Sequence, residues 1–149
     1  VESLLAPWLR RQNIALQPDG GLVVIGSPRS DAHKPWANVI RFDTDGLLDQ
    51  QFGIAGYSTT ADGPPGHFNP DVVAIQPDGK LVVAGVPYRG LDRPTTLVRF
   101  HPDGSHDSSF GVDGRAELHD LHGPTARTVS AIAVQLVADA VHAFVLAYR

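Results

Sequence analysis

Short apolar runs, each preceded or followed by a polar turn, recur along this chain and predict β-strands. Leu22 to Ile25 and Leu81 to Ala84 are continuous apolar runs of strand length, a pattern typical of strands covered on both faces. Before each run stands Pro-Asp-Gly, in which proline presets φ, aspartate bonds nearby backbone and glycine accepts a positive φ. The pattern predicts two hairpins, in which strands at 13–17 and 72–76 precede these runs.

Each hairpin belongs to a longer unit that occurs twice. Gln17 to Gly26 matches Gln76 to Gly85 at eight of ten positions. Arg41 to Gly56 returns as Arg99 to Gly114, and its offset along the chain is nearly the same as that of the first block. Two blocks that share an offset indicate a duplication, and long repeat periods of this kind are typical of propellers, solenoids or arrays.

A third copy is incomplete. Ile132 to Gln135 aligns with Val73 to Gln76 at the offset of the first block, but the Pro-Asp-Gly turn is missing after it. The apolar run at 131–148 predicts a pair of strands, although its alanines also suit a helix. The chain is therefore expected to be one repeat domain, 1–149, with units at approximately 1–57, 58–115 and 116–149.

Each whole unit is expected to contribute four strands. A third strand is predicted at 37–42 and 95–100, and a fourth at 57–60 and 115–119, with Phe52 and Phe110 plugging the core between them. Four antiparallel strands make one blade of a propeller, and rings close with four to eight blades. The predicted fold is all-β and propeller-type, with about two and a half blades and a ring that one chain leaves incomplete. Open blade edges then favour self-association, or pairing with further blades of a longer chain.

On these motifs the chain resembles the delta-60 repeat family. Gln76 to Gly85 and Arg99 to Gly114 match its hairpin, its Arg-Phe strand and its Phe-Gly-x-x-Gly stretch. The earlier copy matches nearly as well, with Gly21 in place of lysine, whereas 1–11 lies outside the pattern and 116–149 departs from it. The resemblance implies β-propeller-like blades in bacterial proteins that are often large and exported, hence an extracellular or cell-envelope location. It implies no reaction.

Composition narrows the functional classes. The net charge of −4 argues against a nucleic-acid surface, which would need a basic stripe. The absence of cysteine excludes disulfides and thiolate metal sites. The absence of methionine indicates a processed product or a fragment. The most apolar stretch, 131–148, is interrupted by Gln135, Asp139 and His142, so a membrane span is not expected.

Two clusters have the residue types of metal ligands. Asp43, Asp45 and Asp49 lie in a short loop with a glycine, and such loops can wrap Ca²⁺, which takes several oxygen ligands. The alternative is that these aspartates shape the turn by bonding local amides, and His101 replaces the first of them in the second copy. His119 and His122, with Asp120, form part of a possible metal site; the alternative is a solvated loop.

Ligand binding is expected in the loops that differ between copies, because a repeat scaffold places its specific residues there. Trp36 and Tyr88 lie in or beside those loops and are the candidate ligand-binding aromatics, with core packing as the alternative. No catalytic residue is predicted, since neither a nucleophile elbow nor a phosphate-binding loop is present.

The sequence therefore predicts a non-catalytic module that binds a protein or glycan partner, or serves as a scaffold, without a required cofactor. One alternative is a polysaccharide-acting hydrolase or lyase with acids at the ring mouth, for which Asp31, Asp62 and Asp92 are the loop candidates. A third possibility is an adhesive repeat that is stabilised by Ca²⁺.

Overall fold

The described residues of the computed structural model are 13–26, 39–59, 68–87, 94–118, 128–137 and 140–148, and they form strands and turns without a helix. The all-β prediction is confirmed. The strands, in chain order, are β1 (Asn13–Leu16), β2 (Leu22–Ile25), β3 (Val39–Phe42), β4 (Tyr57–Ser58), β5 (Phe68–Ile75), β6 (Leu81–Pro87), β7 (Thr95–Phe100), β8 (Arg115–Leu118), β9 (Thr128–Val137) and β10 (Ala140–Tyr148).

Both whole copies fold into the same antiparallel meander. β1 to β4 form a first sheet and β5 to β8 a second sheet, each with its strands in chain order. The two hairpins close in the same register, with Leu16 opposite Leu22 and Ile75 opposite Leu81. The Pro-Asp-Gly turn between these strands places its glycine at φ +88° in one copy and +82° in the other, a region that glycine accepts without strain.

A third sheet, β9 with β10, repeats the inner hairpin of the second sheet. Val134 pairs with Ala143 just as its counterpart in the second copy, Ile75, pairs with Leu81. β5 has a register irregularity between Pro70 and Val72, and the third sheet has one at the equivalent place, where Ala131 and Val129 are opposite Leu146 and Ala147. The strand pair predicted at 131–148 is thus confirmed, and its shared irregularity shows that the truncated copy retains the blade geometry.

The strand limits differ from the prediction in the second sheet. β5 begins at Phe68 rather than at 72, and β6 continues to Pro87, beyond the apolar run that ends at Ala84. The extra length lies beyond the irregularity, where Phe68 pairs with Pro87 and Asn69 with Val86. Local sequence rules do not place this extension, because pairing across the sheet rather than the apolar run stabilises it.

The sheets stack face to face, with β5 against β1 and β9 against β5. The described residues bury two apolar layers around the second sheet, and alternate residues of each strand point into opposite layers. This arrangement explains the continuous apolar runs, since both faces are covered. The layer between the first and second sheets contains Val23, Ile25, Val39, Phe52, Val73, Leu81, Val83, Val98 and Phe100. The layer on the far face of the second sheet contains Val72, Val82, Ala84 and Leu97, with Phe110 packed against it.

Several predictions fall outside the described residues and stay predictions. They concern the loops around Trp36 and Tyr88 and the candidate residues in the other segments that lie outside the described ranges. No described residue belongs to a helix that is long and apolar enough to cross a membrane.

Candidate functional site

The most distinctive polar site joins the first sheet to the turn that follows β7. Three successive carbonyl oxygens of that turn accept hydrogen bonds from three different places in the first sheet and its turns. The bonds are Arg41 Nη1 to Pro102 O at 3.1 Å, Gly53 N to Asp103 O at 2.7 Å and Ser58 Oγ to Gly104 O at 2.6 Å. We call this set of contacts the sheet-to-sheet lock.

An aromatic ring completes the lock. The Phe52 side chain is 1% exposed, and it lies so close to Gly104 that a Cβ added there would be 2.8 Å from ring atoms Cε2 and Cζ. Gly104 also has φ +84°. Both conditions require glycine. The prediction that Phe52 plugs the core is confirmed, and the structure adds that it does so between two sheets.

Sequence reasoning did not identify the lock, although its parts were visible. Asp-Gly and Phe-Gly occur at fixed spacing in both copies, and this spacing was the available signal. Taken singly, each motif predicts only a local turn. Their partnership, in which the Phe52 motif of one copy meets the Gly104 turn of the next, depends on how the sheets stack.

The aspartates of the two repeat turns bond local backbone. Asp43 Oδ1 accepts from Asp45 N at 3.0 Å and from Leu47 N at 2.8 Å. Asp103 Oδ1 instead accepts from the amide of Ser105 at 2.8 Å and from its hydroxyl at 2.6 Å. Both bonds lower the pKa of Asp103, and the bond from the hydroxyl contributes more than the bond from the amide. Each turn thus has one carboxylate that fixes its backbone.

A buried carboxylate lies beneath the hairpin of the second sheet. The Asp107 side chain is 2% exposed. Its Oδ2 lies 2.7 Å from Arg99 Nε and 3.1 Å from Lys80 Nζ. Its other oxygen accepts from the Ser109 hydroxyl at 2.6 Å and the Ser109 amide at 3.1 Å. Burial raises the pKa of Asp107, but the bonds from Ser109, Lys80 and Arg99 outweigh it, so the pKa lies well below the usual range.

The first sheet has a related arrangement of charged side chains with one cation fewer. Gly21 stands where the second copy has Lys80, and Arg41 compensates. Its Nε lies 3.1 Å from Asp49 Oδ2, and its Nη2 lies 2.8 Å from Asp19 Oδ2. The guanidinium, with its several donors, can hold two carboxylates and still direct Nη1 to the next sheet. Arg41 therefore links the hairpin of the first sheet to the lock.

The proposed Ca²⁺ ligands show the contacts of the turn-forming alternative. Asp43 is bonded to two amides of its own turn, and Asp49 accepts from Gln51 N at 3.0 Å while it faces Arg41. Asp45 lies exposed in the same turn. Across the described ranges, no group of three His, Asp or Glu side chains is placed to hold a metal ion. Calcium binding here stays a prediction.

The remaining candidates lie outside the described residues, and the structure does not test them. They are the aromatics Trp36 and Tyr88, the loop acids Asp31, Asp62 and Asp92, and the cluster of His119, Asp120 and His122.

Comparison with known proteins supports the architecture. Residues 17–52 and 76–110 match the model of a family described as a domain of unknown function (DUF5122) beta-propeller. Each match runs from the glutamine before Pro-Asp-Gly to the Phe52 or Phe110 position, so it contains the hairpin turn, the strand after it and the carboxylate that fixes the following turn. The match supports membership of a β-propeller repeat family. No curated protein and no solved structure matches the chain.

Proposed function

We propose that this chain is a non-catalytic repeat module of the delta-60 type, which binds a protein or glycan partner or serves as a scaffold in an exported bacterial protein. The observation that carries the proposal is how the repeated polar residues are used. Asp19, Asp78 and Asp107 each bond a backbone amide two residues ahead and face a cation. The aspartates that recur in the repeat motifs therefore stabilise the turns of the fold.

The Asp107 carboxylate is poorly suited to acid–base chemistry. A general acid or base must reach substrate and exchange a proton near the working pH. Asp107 is buried, faces two cations and has a lowered pKa, so it is held in the ionised form. In the first sheet, Asp49 faces one cation, with its Oδ2 3.1 Å from Arg41 Nε. The repeated acids thus stabilise the fold, and the catalytic rival depends on loop acids alone.

The loops are the natural place for ligand recognition. Both whole copies share one strand framework, so specificity must come from the segments in which they differ. Trp36 and Tyr88 occur there, and an exposed aromatic ring can stack on a sugar or pack against a protein side chain. The bacterial source and export are part of this proposal and rest on the resemblance of the repeat motifs.

A panel of soluble polysaccharides separates binding from catalysis. We expect saturable binding by calorimetry to at least one member, with no new reducing ends or unsaturated products after prolonged incubation. Trp36→Ala and Tyr88→Ala should weaken that binding by roughly tenfold, the scale expected for an aromatic contact. Leu47→Ala, at a side chain that is 66% exposed on a turn, is the matched control and should leave binding unchanged.

The catalytic rival makes the opposite prediction. Product release that disappears in Asp31→Asn, Asp62→Asn or Asp92→Asn, with the melting temperature unchanged, would replace the proposed function with a hydrolase or lyase.

A further inference from the structure

The third sheet presents a strand edge that the other sheets use for pairing. β2 pairs with β3 and β6 with β7, whereas within the described residues β10 pairs only with β9. The matched registers equate Ala143 with Leu81 and Ala147 with Gly85. In the second sheet, residues 81–85 of β6 pair with residues 96–100 of β7. β10 therefore offers the backbone edge on which a third strand is built.

The second sheet presents a matching feature next to it. Phe110 and Gly111 are the counterparts of Phe52 and Gly53, but they make no equivalent of the lock among the residues that the structure describes. Phe110 is half-buried, with the Arg99 guanidinium 4.6 Å from its ring centroid. In those same ranges the exposed Gly111 amide donates no hydrogen bond, whereas the Gly53 amide donates to Asp103 O. The second copy thus has the ring and the amide of a second lock, whereas Ala116 replaces the Ser58 hydroxyl, and no acceptor turn faces them within the described residues.

One segment would satisfy both features. In the second sheet the strand β7 ends at Phe100, and the turn that receives Phe52 and Gly53 follows at once. A strand placed on β10 as β7 is placed on β6 would carry its own following turn to Phe110 and Gly111, because the third sheet follows the second as the second follows the first. We propose that the β10 edge and the Phe110–Gly111 pair form one docking site for an extended strand followed by an Asp-Gly turn of the same repeat type.

The geometry defines the chemistry of this occupant. Its strand needs apolar residues at alternate positions, as Val98 and Phe100 provide in β7, because they would cover the far-face layer of the second sheet. Its turn needs a glycine next to the Phe110 ring, because a Cβ there would clash with the ring. Gly104 meets the same requirement next to Phe52. Its Asp carbonyl would accept from Gly111 N. The docking site depends on one part of the proposed function, namely that the chain is a module of stacked repeat sheets.

A peptide with the sequence of residues 94–107 tests the site directly. It contains one strand and one turn of the required type. We expect saturable one-to-one binding by calorimetry, and in amide exchange monitored by NMR we expect new protection at Gly111 and along β10. The Gly104→Ala peptide should bind about fivefold to tenfold more weakly, the effect of a contact of about 1 kcal/mol or slightly more. A peptide that ends at Phe100 should protect β10 and leave Gly111 unprotected.

A variant of the chain gives the reciprocal test. Phe110→Leu keeps an apolar side chain and removes the ring, so it should weaken the full peptide about threefold to tenfold and leave the peptide that ends at Phe100 unaffected. If the chain self-associates, the full peptide should compete with that association, which would identify a second copy as the source of the strand.

Three results would overturn the proposal. They are absence of binding, equal affinity for a scrambled peptide or the Gly104→Ala peptide, and a dimer that the full peptide does not disrupt. Failure here would be distinguishable from failure of the proposed function, since the latter is decided by the polysaccharide assays and does not depend on the peptide.

Discussion

Two glycines at equivalent turn positions allow the energy of the sheet-to-sheet lock to be measured by difference. Gly46 and Gly104 have φ +75° and +84°, so alanine is strained at both. Their surroundings differ. A Cβ at Gly46 would meet nothing within 4 Å, whereas one at Gly104 would lie 2.8 Å from the Phe52 ring and 2.9 Å from Gly53 N. Gly46→Ala is therefore the backbone control for Gly104→Ala.

The two variants are expected to lose clearly different amounts of unfolding free energy. The left-handed conformation costs an alanine about 1 to 2 kcal/mol, and both variants carry that cost. Overpacking against a ring and a backbone nitrogen adds about 1 to 3 kcal/mol for Gly104→Ala alone, because the backbone cannot move away without weakening the 2.7 Å bond from Gly53 N to Asp103 O. We expect the two free energies of unfolding to differ by about 2 kcal/mol.

Urea unfolding followed by far-ultraviolet circular dichroism provides the assay. Both variants should show the m-value of the unaltered chain, so that the difference in midpoint reports stability. By thermal melting, the same difference corresponds to about 4 to 8 °C for a chain of this length. Equal destabilisation of the two variants would refute the reasoning, since it would mean that Phe52 does not lie against Gly104 in solution.

Three other predictions address the polar contacts. Asp107→Asn removes the buried carboxylate that the half-buried Arg99 and Lys80 side chains face and should cost about 3 kcal/mol. Because folding lowers the pKa of Asp107, the carboxylate stabilises the fold above its ordinary pKa of about 4 and loses that effect as pH falls below it. Urea midpoints should therefore depend less on pH below about 4 in the variant, and equal acid sensitivity would contradict this assignment. Ser58→Ala should cost about 1 kcal/mol in urea unfolding through the lost bond to a lock carbonyl, whereas Ser108→Ala, at an exposed turn residue, should cost nothing measurable; equal effects would argue against that bond. Chelator should leave the melting temperature unchanged to within about 1 °C, and a larger fall that Ca²⁺ reverses would show that the chain binds calcium.

The strands were predictable because their signals are local and occur twice. Pro-Asp-Gly fixes the hairpin, and an apolar run such as Leu81 to Ala84 has the length and composition of a covered strand. The third copy could be assigned to strands only from the repeat offset, since its alanines suit a helix equally well. The extension of β5 back to Phe68 was missed because it depends on pairing with Val86 and Pro87.

The polar sites were predictable only as far as their residues are neighbours in sequence. The bond of Asp43 to amides two and four residues ahead follows from turn chemistry. The ion pair of Lys80 with Asp107 and the contact of Phe52 with Gly104 join positions far apart in the chain. A single sequence does not specify such distances, because the ion pair follows from the pairing of β6 with β7 and the ring contact from the way in which the sheets stack.

Amide hydrogen exchange at Gly53 and Gly111 is the most direct test of the stacked-sheet account. The two residues occupy the same position in their copies and are both exposed, but only the Gly53 amide donates to a carbonyl of the neighbouring sheet within the part of the chain that the structure describes. The account predicts that Gly53 exchanges at least about tenfold more slowly than Gly111, and that Gly104→Ala abolishes the difference. Equal exchange at the two amides in the unaltered chain would contradict it.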